Sequence, residues 1–331
     1  MRNKYISCYV AAFCAGLLST ACNDFLDEVP DNRTVIDTPE AVSELLVSAY
    51  PDANCVFFTE SMSDNVTDRG NTLDPYVQPD WNRANRQAFY WEDIDMTYQD
   101  SPNYFWMASY QAIAAANHAL EAIAELEAKG VDCSAQKGEA LLCRAYNHFM
   151  LVNVFAQHYN PAFAAIDMGV AYVTEPEKEV FGHYERVSVK ETYDKIRKDL
   201  EEGLPLISNK AYGDTPKYHF TREAAQAFAC RFYLYVGEWQ KAIDAADEAL
   251  GDNPTLRNWN EYIQMSTANR EKNYTSVQES ANLLLASTVS QFAVDQSFYR
   301  YGYSTAVNNS LFQQNDNVVN GVWAYRAEAY N

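Results

Sequence analysis

The stretch Thr221 to Pro254, TREAAQAFACRFYLYVGEWQKAIDAADEALGDNP, constrains the architecture of this chain more than any other. It predicts two short antiparallel helices. Thr221 is placed to cap the first, accepting a hydrogen bond from the exposed N–H groups of the opening turn. Ala225, Phe228, Phe232 and Tyr235 then recur at helical spacing and give that helix an apolar face. Gly237 stands where a left-handed residue would end it. Trp239, Ala242, Ala246, Ala249 and Leu250 give the second helix a face of small residues with large ones at its ends. Small residues let two helix axes approach closely, and Tyr233 and Trp239 are expected to fill the gaps they leave.

Tyr233, Gly237, Trp239, Ala242, Ala246, Ala249 and Pro254 fall in the register of a 34-residue tetratricopeptide repeat. Gln226 and Ala229, where that repeat prefers Trp and Leu, depart from it. One such unit cannot bury its own face, so further helix pairs are expected to stack against it. At 331 residues the chain is long enough for a substantial core in one or two domains. Its net charge of −20 argues against a nucleic-acid partner and against adhesion to anionic lipid through a basic face. With 24 Tyr, that acidic surface suits a neutral, polar ligand, although acidity also serves plain solubility.

The N-terminus reads as an address. Arg2 and Lys4 precede an apolar run from Ile6 to Leu18 that is short for a membrane span. Leu18-Ser19-Thr20-Ala21-Cys22 follows and looks like a bacterial lipoprotein cleavage site, with Cys22 as the lipidated first residue. Ser19 occupies a position where such sites prefer an aliphatic residue. The alternative is an ordinary secretory signal with Cys22 incidental. Residues 1–21 are thus expected to be a signal peptide and residues 22–37 an acidic tether. The protein would be held at the membrane by lipid rather than spanning it. Cys143 and Cys230 lie in helical patterns as small hydrophobes. A Cys133–Cys143 bridge is open in an oxidising compartment.

Along the mature chain, Thr38-Pro39-Glu40 opens a helix with Leu45, Leu46, Ala49 and Tyr50 inward. Residues 52–102 are polar and aromatic without sustained helical period, and are expected to form a long ordered loop. Tyr104 to Lys129 is a long helix with Phe105, Ala108, Ala112, Ala115, Ala119, Ile123 and Leu126 on one face. Gly138 to Gln157 is the next, with Leu141, Ala145, Phe149, Val152 and Phe155 inward. Ser188-Val189-Lys190-Glu191 is a capping box that opens a further helix. After Pro254 the helical signal fades. Ser276 could cap another helix, or Asn282 to Ala286 could form a strand. The core is therefore assigned to residues 38–255, and residues 256–331 to an irregular part.

Several of these stretches together resemble the SusD/RagB family of surface-exposed nutrient-binding lipoproteins of Bacteroidetes. The matching pieces are Cys22-Asn23-Asp24-Phe25-Leu26-Asp27, Trp106 to Asn117, Gly138 to Phe155, Tyr193 to Leu206 and the repeat at Thr221 to Leu250. They stand in family order and span most of residues 22–250. The resemblance implies a mostly α fold, a tetratricopeptide-like helix-pair superhelix supporting an irregular, loop-rich, ligand-facing part. It also implies a lipoprotein on the outer membrane, facing the cell exterior. There it would work with a SusC-like TonB-dependent transporter and capture glycans or peptides. Family members usually continue well beyond this length, and Ala324 to Asn331 resembles a helix of the family's later half cut short.

A sugar ring offers C–H groups on its faces and hydroxyls at its edge. Its receptor needs flat exposed aromatics for the first and amides, carboxylates or guanidinium groups for the second. Trp81, Asn82 and Arg83 bring these types together, with Tyr76, Asp80, Arg86, Tyr90 and Trp91 close in sequence. This segment is the predicted binding platform. The competing reading is that Tyr90 and Trp91, and equally Trp81, pack the loop onto the helices. Tyr299, Tyr301 and Tyr303 alternate as if on one strand face and form a second candidate, carried by Tyr301. Trp106 and Trp239 are assigned to packing.

An enzyme is not expected. The chain has no Gly-x-Ser-x-Gly, no His-Glu-x-x-His, no phosphate-cradling Gly-rich loop and no dinucleotide fingerprint. No cofactor or metal is expected either. His118 and His148 are read as hydrogen-bonded core residues. Asp64 to Asp74 carries oxygen ligands around a Gly but lacks EF-hand spacing, and reads as a solvated acidic turn rather than a Ca²⁺ site. The remaining alternative is a repeat scaffold that binds only protein partners or peptides, since stacked helix pairs present a surface suited to them.

Overall fold

Thr38, Ser101, Ser188 and Thr221 each stand before a helix with their side-chain oxygens accepting from the backbone N–H three residues on, at 3.1, 3.0, 3.1 and 3.1 Å. These caps punctuate a computed structural model that describes residues 36–70, 79–178, 182–214, 216–252, 254, 257–292 and 299–303. The chain divides after Ile36, and everything below belongs to the unit that begins at Asp37. The signal, Cys22 and all of the tether before Ile36 lie outside the described residues.

In chain order the helices are α1 (Pro39–Leu46), α2 (Val56–Ser61), α3 (Pro79–Phe89), α4 (Pro102–Ala128), α5 (Ser134–Phe155), α6 (Val189–Gly203), α7 (Arg222–Val236), α8 (Trp239–Leu250), α9 (Trp259–Gln264) and α10 (Thr267–Tyr274). Two short strands, β1 (Thr67–Asp68) and β2 (Tyr301–Gly302), pair antiparallel, with Thr67 opposite Gly302 and Asp68 opposite Tyr301. The architecture is mostly α. Helix α4 packs on α5, α5 on α6 and α7 on α8, as expected of a tetratricopeptide-like superhelix. Among the described residues no helix is long and apolar enough to cross a membrane.

The predicted repeat forms as α7 and α8. Gly237 takes a left-handed conformation (φ 77°) at the turn, where a side chain would be strained. Ala225, Phe228 and Phe232 are buried, as are Ala242 and Ala245 on α8. Trp239, expected from the sequence to pack, is 62% exposed, and Ile243 and Leu250 on α8 are exposed too. The small inward alanines already close the α7–α8 contact, which leaves the large residues on the outer flank. Cys133 and Cys143 are both free, so the bridge left open by the sequence is absent.

Residues 52–102 are not one long loop, because α2 and α3 lie within them. The helical period was hidden by the inward face of α3, where Asn85 and Gln87 are buried beside Ala84 and Ala88. Beyond Pro254, α9 and α10 are short helices, and the segment from Ser276 to Ser290 forms neither helix nor strand. The Ser276 hydroxyl accepts from Gln278 N at 3.1 Å, a turn rather than a helix cap.

One buried polar node joins three helices. The Arg144 guanidinium on α5 grips Asp199 on α6 through two bonds of 2.6 and 2.7 Å and donates to Asn117 Oδ1 on α4 at 3.0 Å. The same guanidinium donates to the Thr174 carbonyl, and the Tyr172 hydroxyl donates to Asp199 at 2.6 Å, so the connection between α5 and α6 is pinned to this node. His148 sits under the Tyr172 ring with centroids 3.8 Å apart. Its Nδ1 donates to the Arg144 carbonyl at 2.8 Å, and its Nε2 accepts from Val173 N at 3.1 Å. Both bonds suit a neutral imidazole, and burial pushes its pKa down to about 3. His118, expected in the core, is exposed. Gly138 and Gly203 allow α5 and α6 to meet closely, because a Cβ on Gly138 would stand 3.0 Å from the Gly203 carbonyl oxygen.

Replacing Arg144 by Leu strands the buried Asp199 carboxylate, and urea unfolding should show a loss of about 3–5 kcal/mol. The Arg144→Met/Asp199→Leu pair should recover most of it. His148 binds no proton in the fold until about pH 3, whereas the unfolded chain titrates near 6.5. Stability should therefore decline as pH falls from about 6.5 towards 3, by at most about 1.4 kcal/mol per pH unit from this group. A urea series at pH 7.5 and 4.5 should show that slope reduced in His148→Gln.

Candidate functional site

The surface that carries the predicted platform is built on α3 and the segment that follows it. Its underside is an apolar cluster of Phe57, Phe58, Ala84, Ala88, Met96, Phe105 and Tyr299. Two polar pins fix it there. Buried Asn85 donates to the Tyr301 carbonyl at 2.7 Å and accepts from Tyr301 N at 3.2 Å, which seats β2 against α3. Buried Asp100 accepts from Trp81 Nε1 at 3.2 Å, from Ser290 Oγ at 2.6 Å and from Gln291 N at 2.7 Å. The segment that leads into Ser290 is anchored at the start of the repeat pair, where Thr221 Oγ1 donates to the Leu283 carbonyl at 2.9 Å and Leu285 N to the Lys217 carbonyl at 2.7 Å.

Trp81 is half-buried rather than displayed. Its indole meets the Tyr98 ring edge-on at 5.1 Å and packs against the apolar cluster. Asn82 is half-buried beside it. Arg83 is exposed and bridges two carboxylates, Asp95 at 2.9 Å and Asp80 at 2.8 Å. The Tyr98 hydroxyl donates to the other Asp80 oxygen at 2.5 Å. That bond, then the Arg83 guanidinium, holds the Asp80 carboxyl below the usual range, so it stays ionised.

Arg83, Arg86 and Tyr90 follow one another at helical spacing and share the outer face. Arg86 pairs with Glu92 at 2.7 Å. Tyr90 is 52% exposed and rests edge-on over Tyr301 at 5.5 Å, while Trp91 is 74% exposed. The reading that Tyr90 and Trp91 simply pack the loop down is therefore not what the structure shows for Trp91. Tyr301 is itself buried at 4% exposure, stacked on Phe89 with centroids 4.5 Å apart, so it supports the surface from beneath and is not a displayed ligand contact. Tyr299 is buried as well. Strand β2 is covered by α3, which is why Tyr301 faces inward, while Tyr303 beyond it is half-buried. Tyr76 lies outside the described residues.

Arg300 and Asp68 form a two-bond ion pair of 2.6 and 2.7 Å at the same rim. The hydrogen bonds from Arg300, and behind them the Gly70 N–H, bring the Asp68 carboxyl down to about pKa 2. No signal in the sequence links these two residues, since β1 and β2 are only two residues each. Among the described residues no group of three or more His, Cys, Asp or Glu side chains is gathered to hold a metal. The surface thus offers exposed rings beside guanidinium–carboxylate pairs, which can donate to and accept from hydroxyl groups at once.

The family described as starch-binding and associating with the outer membrane matches residues 24–234. The chain belongs to the SusD-like family. A SusD superfamily protein of Bacteroides thetaiotaomicron shares the fold at TM-score 0.53 and 21% identity, over 69% of this chain and 50% of that one. A sugar-binding protein of Bacteroides vulgatus, so described as putative, matches at TM-score 0.54 and 23% identity, over 70% and 51%. A laminarin-binding SusD-like protein matches at TM-score 0.50 and 22% identity, over 70% and 49%. The SusD-like chain spans about half the length of these solved structures. A comparison with curated proteins finds no match.

Trp81→Ala should act first on the fold, because it removes a half-buried indole and frees the Asp100 carboxylate from its Nε1 donor. A loss of about 2–3 kcal/mol is expected from urea unfolding.

Proposed function

We propose that this SusD-like chain captures neutral glycans at the surface formed by α3 and the residues that follow it. The observation that carries the reading is the exposed pair Tyr90 and Trp91 beside Arg83 and Arg86, each guanidinium already paired with a carboxylate. Rings take the C–H faces of a sugar, and the paired groups take its hydroxyls. An acidic sugar would have to displace Asp80, Asp95 or Glu92 from its cation, on a chain of net charge −20. The family's description and the laminarin-binding relative support glycan as the ligand. Of the residues singled out in the sequence, Arg83, Asp80, Tyr90 and Trp91 serve as contacts in this reading. Trp81 and Tyr301 support the surface, and Asn82 borders it.

In this proposal Cys22 carries the lipid, residues 22–37 form the tether and the protein faces the exterior on the outer membrane. Bound glycan passes to a SusC-like TonB-dependent transporter, and the protein performs no catalysis. A second reading, a scaffold that binds protein partners, is favoured by the exposed stripe Trp239, Ile243 and Leu250 on α8. Helix-spaced apolar residues facing solvent suit a partner helix.

Soluble protein beginning at Asn23 should be titrated calorimetrically against neutral glucans, mannans and xylans, a polyuronate and a peptide pool. Saturable binding of one neutral class is expected. Arg83→Ala/Arg86→Ala should weaken it about tenfold, or about 1.4 kcal/mol, with the melting temperature little changed. Binding of the polyuronate alone would overturn the neutral-glycan reading. Silence towards every glycan, from folded protein, would favour the scaffold.

A further inference from the structure

Two described residues other than glycine have positive φ, Trp91 at 56° and Asp100 at 70°. Their circumstances are opposite. Asp100 is buried, belongs to a residue type that tolerates this region, and its carboxylate is met by three donors. Trp91 is a bulky residue with most of its ring in solvent.

The backbone explains why Trp91 sits so. Trp91 N donates to the Ala88 carbonyl at 3.0 Å and Glu92 N to the Gln87 carbonyl at 2.8 Å. This is the paired closure of a helix C-terminus, in which the left-handed position belongs by preference to glycine. Among the described residues five glycines have positive φ, Gly237 after α7 among them, so the chain elsewhere places glycine at such positions. At position 91 a side chain crowds the following carbonyl, and little of that cost returns as burial. A strained residue that packing does not account for points to a task outside the fold. The left-handed turn ends α3 and leaves the Trp91 ring in solvent, one residue after the exposed Tyr90.

Resting on the glycan reading above, we infer that Trp91 is the specificity-determining residue of this surface. Its indole is the shelf on which the face of a neutral pyranose stacks, and fold stability is sacrificed to hold it there. A sugar lying on that shelf brings its edge hydroxyls to the Arg86–Glu92 pair. Glycans whose sugars expose a continuous C–H face are the class it selects.

Trp91→Gly relieves the strain and removes the shelf, while Trp91→Ala removes the shelf and keeps the strain. Each is compared with wild type by thermal melting and by titration with laminarin, soluble starch, mannan and xylan. Trp91→Gly should melt about 2 °C higher than wild type, and Trp91→Ala within about 1 °C of it. Both should bind the wild-type ligand at least tenfold more weakly, and Trp91→Phe should retain most of the affinity. A lower melting temperature for Trp91→Gly would overturn the inference, since the indole would then be serving the fold. Unchanged affinity in Trp91→Gly and Trp91→Ala would also overturn it, while leaving glycan capture intact. Wild-type protein that binds none of the four would instead remove the glycan reading on which the inference rests.

Discussion

The grip of Arg144 on Asp199 sets the register in which the helices meet. A fixed charge pair in an apolar interior is costly to form, and it is retained only where hydrogen bonds satisfy the rest of both groups. Here Asn117, Thr174 and Tyr172 supply them, so the pair meets α4, α5, α6 and the α5–α6 connection at one place. Apolar packing alone would let these helices slide past one another by a turn at modest cost. A bidentate pair with further partners on two sides permits one register, and the neutral His148 under Tyr172 closes the remaining gap. The close Gly138–Gly203 approach belongs to the same crossing and is available only in that register.

The other half of the molecule is organised differently. Around α3, above the apolar cluster, the structure is latched by paired polar contacts that reach across long stretches of chain: Asn85 to Tyr301, Asp100 to Ser290 and Gln291, Asp68 to Arg300. Each replaces what a helix pair would achieve with a stripe of side chains. The result is a surface whose underside is rigid while its outer face is free to carry rings and charges chosen for something other than packing.

This difference decides what could be read from the residues alone. The helix pairs were legible because their period, caps and small-residue contacts are local: Thr221 to Gly237 and the Ser188 cap can be recognised without knowing any distant neighbour. Helix α3 was not, because Asn85 and Gln87 stand where apolar residues would mark its inner face. The segment around Arg83, Tyr90 and Trp91 was recognisable by residue type, since rings and guanidinium groups cluster there. The role of each was not, because burial separates Trp81 and Tyr301 from Tyr90 and Trp91, and burial is set by residues hundreds of positions away. The Asp68–Arg300 pair illustrates the limit, with a separation of 232 residues and no pattern on either side.

That separation also has a consequence in time. The α3 surface is closed beneath by β2, and the Asn85 latch spans 216 residues. A chain emerging from its N-terminus can form the contact of α4 with α5 and of α7 with α8 as soon as each is complete, because those partners are near in sequence. The seat of the candidate ligand surface must wait until Tyr301 has been delivered, and then close a loop that encloses the finished repeats. The repeat stack is therefore the template, and the candidate ligand surface is completed only after it.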